Sequence, residues 1–129
     1  WTKPEPWTYT DGESFFSPAV SSQLFAHSSG RLFWFGIICP VNPTGNRPRY
    51  PFIMGEVDRR TGLLDKASIR VVDDRAAHET SALQLSSPST REDRETGEIV
   101  LNLTRFSEFS KDAEHDWTAN AYVYRIAVD

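Results

Sequence analysis

A chain of 129 residues, 39% hydrophobic and 12% aromatic, is long enough to bury one core. Eighteen acidic against fourteen basic residues give a formal charge of −4 and a pI near 5.3 without any run of like charge, which argues against nucleic acid as a partner. The longest apolar run, Leu32 to Cys39, contains Gly36 and falls far short of the roughly 20 residues a membrane helix needs, so no membrane partner is expected.

Apolar runs and period-two alternation, broken at short intervals by turn residues, predict an all-β chain. "PWTYT" (6–10) reads as a short strand before the Asp11-Gly12 turn. "AVSSQLFAH" (19–27) and "RLFWFGII" (31–38) flank Ser28-Ser29-Gly30 as a hairpin. The proline-rich loop "PTGNRPRYP" (43–51) leads to "YPFIMGEVD" (50–58), a turn at Arg59 to Gly62, and "KASIRVVDD" (66–74), completing one antiparallel unit of four strands. A second unit follows with "ALQLSS" (82–87), a turn through "REDRETG" (91–97), "EIVLNLTRF" (98–106) and "WTANAYVYRIAV" (117–128). No segment shows a helical period, and only "FSEFSKDAEHDW" (106–117) leaves room for a helical turn.

Two internal echoes bear on the architecture. The frame of a serine pair, a strand end, a turn ending in glycine and an apolar strand starts at Ser21 and again at Ser86. The turns Asp58-Arg59-Arg60-Thr61-Gly62 and Asp93-Arg94-Glu95-Thr96-Gly97 both read D-R-x-T-G, in which the carboxylate accepts backbone N–H groups and glycine takes the positive-φ position. Together they favour four-stranded sheets repeated around an axis, as in a β-propeller, over a single sandwich.

The pieces Asn42 to Pro51, Asp58 to Gly62, Leu85 to Ser89 and Leu103 to Arg105 follow one another in an order that resembles the C-terminal blades of the sialidase-like six-bladed β-propellers, the glycosyl hydrolases with BNR (Asp-box) repeats. The resemblance implies about two four-stranded blades: residues 1–10 the outer strand of a blade, 11–75 a first blade, 76–129 a second blade lacking its outer strand. It implies a part of a sialidase-like glycoside hydrolase that contributes an arginine-bearing loop to a carbohydrate site, with an acidic sugar as the candidate ligand and with no cofactor. The alternatives are a non-catalytic carbohydrate-binding propeller and a structural module. Partners would be the remaining blades or further copies of the chain, because two blade faces would otherwise be left bare and apolar. The starting residue, Trp1, fits either a fragment or a short chain that assembles, and the resemblance points to a soluble protein, secreted or periplasmic.

In that family three arginines hold the substrate carboxylate, a tyrosine paired with a glutamate is the nucleophile, and an aspartate is the acid/base. The loop arginine falls on Arg49 when the match runs through Tyr50-Pro51-Phe52, and on Arg47 when it runs through Pro48. A guanidinium fork suits a carboxylate, and the flanking prolines restrict the backbone before binding. The resemblance thus assigns Arg49, Arg47, Tyr50 and Asn46, with Arg105 at the end of its strand, to substrate binding. Relatives read "YSYPA" where this chain reads Leu85-Ser86-Ser87-Pro88-Ser89, so serine stands at the nucleophile position and no catalytic residue is assigned. Tyr50, Tyr122 and Tyr124 are the local substitutes, although Tyr122 and Tyr124 share a strand face and read first as sheet packing.

The remaining reactive side chains have plainer readings. His27, His78 and His115 lack metal-ligand spacing and read as solvated loop residues. Cys39 reads as a buried small apolar residue. Asp73-Asp74-Arg75 suggests a strand-end ion pair, and Arg91 to Glu95 a solvated hairpin tip. Asn102-Leu103-Thr104 is a glycosylation sequon inside a strand, which argues against modification. Trp34, between Phe33 and Phe35, belongs to the core.

Overall fold

The computed structural model describes residues 1–110 and 117–129. Among the described residues seven strands form two antiparallel meanders, and there is no α-helix. The first sheet has the order β1 (Gln23–Ala26), β2 (Leu32–Ile37), β3 (Phe52–Glu56), β4 (Arg70–Asp73). The second has β5 (Gln84–Glu92), β6 (Ile99–Phe106), β7 (Ala119–Ile126). Neither sheet closes on itself.

Alternation along the strands sorts the side chains. Phe33, Phe35 and Ile37 of β2, with Phe52 of β3, point toward Leu85 of β5 and Ile99, Leu101 and Leu103 of β6, and all are at most 2% exposed. These faces make the main core, where each fully buried side chain contributes roughly 1.5–3 kcal/mol. Cys39 lies in the same cluster, and burial pushes its thiol pKa up.

The other face of the first sheet is covered too. Trp34, Ile53, Val57 and Leu64 pack under Tyr9, Trp7 and Phe15 from the N-terminal segment. Trp7 meets Trp34 edge-on at 5.4 Å and donates from Nε1 to the Gly62 carbonyl at 2.7 Å. Trp34 also lies across Gly36, so close that a Cβ there would fall 2.3 Å from its ring. The outward side of the second sheet carries Ser89, Asn102, Ala121 and Val123, all exposed. Two bare apolar faces were the expectation; one face is covered by the chain's own aromatics and the other is mostly polar.

The sheets stack in the same sense. Thr90 of β5 donates its N–H to the Gln23 side chain of β1 at 3.0 Å, while Tyr124 of β7 reaches Asp73 of β4. The connections β1–β2, β3–β4 and β5–β6 therefore gather at one end and β2–β3, β4–β5 and β6–β7 at the other. At the first of these ends both D-R-x-T-G segments behave as expected: Asp58 Oδ1 accepts from the N–H groups of Arg60 and Thr61, Asp93 Oδ1 from those of Glu95 and Thr96, and Gly62 and Gly97 both sit at φ 72°.

Several expectations need correction. Residues 6–10 form no ladder: Thr8 and Tyr9 make isolated bridges to Ser14 and Leu64, because this segment is held by aromatic packing. The segment from Lys66 begins with one 3₁₀ turn, Lys66–Ser68, capped by Asp65, and only then becomes β4. β5 continues to Glu92 through a bulge between Ser86 and Ser89, in which Ser87 takes φ 55°. His27 is not solvated but 8% exposed, with Nε2 against the Gly97 carbonyl and Nδ1 near Ser29 Oγ, both 2.8 Å. The helical turn considered for 106–117 and His115 fall largely or wholly at 111–116, outside the described residues.

Candidate functional site

The end bearing the β2–β3, β4–β5 and β6–β7 connections brings together most of the residues with chemical potential. The β2–β3 connection carries Asn46, Arg47, Arg49 and Tyr50, and the peptides Arg47-Pro48 and Tyr50-Pro51 are both cis. The connection is anchored across the gap between the sheets: Arg49 forms a parallel bridge with Gln84, and the Leu85 N–H donates to the Arg49 carbonyl at 3.0 Å. The loop thus extends the second sheet although it belongs to the first.

Arg49 is half-buried, and its Nε donates to the Asn46 carbonyl at 3.0 Å. Loss of hydration, together with the neighbouring Arg47 charge, lowers its pKa. Among the described residues neither Arg47 nor Arg49 has an acidic partner. Two like charges with no counter-charge make a local deficit of anion. Tyr50 points the other way: it packs on the main core, and the Arg75 guanidinium covers its ring at 5.3 Å.

Arg105 has a different setting from the one expected. Its side chain is 9% exposed and ringed by three carboxylates: Nη1 donates to Asp73 Oδ1 at 2.5 Å, Nε to Glu108 Oε1 at 2.7 Å, and Nη2 to Glu79 Oε1. A ligand carboxylate would have to displace one of them, so Arg105 serves as a tie between β4, the β4–β5 connection and the segment after β6. Burial alone would lower its pKa, but these hydrogen bonds and charges outweigh it and push the guanidinium well up. Asp73 pairs with Arg105 rather than with Arg75, as its sequence neighbour had suggested.

The last strand completes this arrangement. Tyr122 donates to Glu108 Oε2 at 2.8 Å and Tyr124 to Asp73 Oδ2 at 2.5 Å. The Glu108 hydrogen bond raises the Tyr122 pKa, while burial and then Asp73 raise that of Tyr124, so both are held as phenols. Glu79 would be raised by burial, yet the Ala76 N–H and Arg105 draw it below the usual carboxylate range. Ser86 and Ser87, at the expected nucleophile position, sit on the β5 bulge.

Sequence reasoning singled out Arg47, Arg49 and Asn46 on one loop, and the fold keeps them together. It missed the carboxylates around Arg105, since Asp73, Glu79 and Glu108 come from three separate segments; the two-residue spacing of Tyr122 and Tyr124 was the one local hint. Among the described residues no group of three or more His, Cys, Asp or Glu could hold a metal ion, and no helix is long and apolar enough to cross a membrane. No family model, curated protein or solved structure matches the chain.

Proposed function

We propose that this chain is a carbohydrate-binding unit of the sialidase-like propeller type, in which Arg49, assisted by Arg47, holds the carboxylate of an acidic sugar. The observation that carries the reading is the half-buried Arg49 guanidinium, lowered in pKa and without an acidic partner among the described residues, beside Arg47, which has none there either. An anion placed there would supply the missing counter-charge and restore the hydrogen bonds lost with hydration, the setting in which a charge-assisted pair is strongest. Two consecutive antiparallel meanders stacked in the same sense support the blade reading.

Isothermal titration of the full-length protein with N-acetylneuraminate tests the site. Arg49→Ala should weaken binding by about tenfold or more, roughly 1.4 kcal/mol, with an unchanged melting temperature. Equal affinity in the variant would sink the proposal. One feature favours hydrolysis as a second reading: the Tyr122 hydroxyl bonded to Glu108 has the form of a phenol with an adjacent base. Release of fluorophore from a fluorogenic sialoside, lost in Tyr122→Phe, would establish it, and a silent assay leaves binding as the function.

A further inference from the structure

A strand at the edge of a sheet offers a row of unpaired N–H and C=O groups, which proteins usually blunt with proline, lysine, a bulge or a short length. β1 and β4 have four residues each. β5 is engaged on its outer side, at Leu85 by the Arg49 carbonyl and at Thr90 by the Gln23 side chain. β7 has none of these devices. It is eight residues long, contains no proline or lysine, and pairs with β6 from Ala119 to Ile126 without a shift of register. Among the described residues no hydrogen bond reaches its outer backbone groups.

The same edge borders a cavity. The Tyr124 hydroxyl ties β7 to Asp73 of β4, and beyond that tie a cleft of about 650 Å³ lies between the two strands. Half-buried Met54, Val72, Ile126 and Val128, at the margin of the main core, give it an apolar floor. Most of the charge at its rim is already matched: Arg31 by Glu56 at 2.7 Å and by nearby Asp129, and Arg125 by Asp93 and Glu98, each at 2.9 Å. Arg70 is the exception. It donates only to the backbone carbonyls of Ala67 and Ile69 and has no acidic partner among the described residues.

The segment Trp1-Thr2-Lys3-Pro4-Glu5-Pro6 has the complementary features. All six residues are exposed, Trp1 completely, and none makes a hydrogen bond, ion pair or ring contact among the described residues. Pro4 and Pro6 lack an N–H, and because the backbone groups of successive residues point to opposite sides of a strand, both gaps fall on one side. The other side keeps the donors of Lys3 and Glu5. Such a strand pairs once and leaves no new edge behind it. Trp1 and Glu5 share a strand face about 13 Å apart, one an apolar anchor and the other a carboxylate. The β7 of the same chain is badly placed to receive them: Trp7 fastens the segment to the outer side of the first sheet, and the second sheet lies on the inner side.

We propose that the edge of β7 receives residues 1–6 of a second copy of the chain, with Lys3 and Glu5 turning their backbone groups toward β7, the Trp1 indole entering the cleft and Glu5 meeting Arg70. Main-chain bonds would supply affinity and the cleft the selectivity, the division of labour in strand addition. The interface is independent of any ligand at Arg49.

Light scattering on the full-length protein over a concentration series should show association to more than one chain. Lys3→Pro removes a donor from the pairing side and should weaken association at least about fivefold, whereas Thr2→Pro, on the side that already lacks donors, should leave it unchanged. Lys3→Ala, which keeps the N–H, should also associate as the native chain does. These positions are exposed and touch nothing else, so the fold itself is not at risk. Amide exchange along the outer side of β7 should slow as association proceeds. A monomer at every concentration, an assembly that ignores Lys3→Pro, or equal effects of the two prolines would overturn the inference. So would slow exchange along β7 that does not vary with concentration, since the edge would then be paired within one chain.

Discussion

Replacing Arg105 by methionine keeps the length of the side chain and removes its charge, leaving Asp73, Glu79 and Glu108 facing one another at side-chain exposures of 13%, 12% and 11%. Removing one partner of a buried ion pair costs about 3–5 kcal/mol at neutral pH, because the desolvation of the remaining charge is no longer offset. For a chain of this size that corresponds to a fall in melting temperature of about 10–20 °C. The pH dependence is diagnostic. In the native protein Glu79 has a folded pKa below its unfolded value, so its contribution is present above the normal carboxylate range, near 4, and fades as pH falls through the folded value. In the variant Glu79 keeps its burial but loses the guanidinium that draws its pKa down, so the penalty is full at pH 7 and shrinks as Glu79 takes up a proton. Urea denaturation at pH 7 and near pH 4.5 should therefore show a large gap between the two proteins that narrows on acidification. A loss below about 1 kcal/mol, constant with pH, would show that the three carboxylates are hydrated well enough to do without the guanidinium.

Gly36→Ala places a methyl against the Trp34 ring and should cost about 1–3 kcal/mol, read by urea unfolding with a change in tryptophan emission. Leu101→Ala, emptying the centre of the main core, should cost about 2–5 kcal/mol in the same assay. Tyr124→Phe removes one hydroxyl donor from Asp73 and should cost about 0.5–1.5 kcal/mol; no measurable change would mean that water replaces it. Native stability should decline in acid, since Asp58, Glu79, Glu92 and Asp93 are all lowered in the folded state; a urea midpoint that rises from pH 6 to pH 3 would contradict those shifts.

The strands were legible because alternation is a local signal: Phe33, Phe35 and Ile37 announce a face regardless of what covers it. Turn chemistry was legible for the same reason, and the two D-R-x-T-G segments share their Asp contacts and their glycine φ. What covers a face is not local. Trp7, Tyr9 and Phe15 lie far along the chain from Trp34, and their sequence looks like an edge strand. The site divides similarly. Arg47 and Arg49 stand out within nine residues, whereas Arg105 reads as one more strand-end cation until the fold delivers carboxylates from positions 73 and 79. His27 was misread because a histidine beside Ser28-Ser29-Gly30 looks solvated, and only the stacking of the sheets brings Gly97 over it.

The backbone link from Arg49 to Leu85 makes residues from two halves of the chain into one strand pair. Cutting the chain in the β4–β5 connection, near residue 76, would put the arginine on one piece and its anchor on the other. Neither piece would hold the loop in its present shape, so ordering of the loop and reassembly of the pieces become the same event. Fused to two halves of a reporter enzyme, such pieces would report their own reassembly.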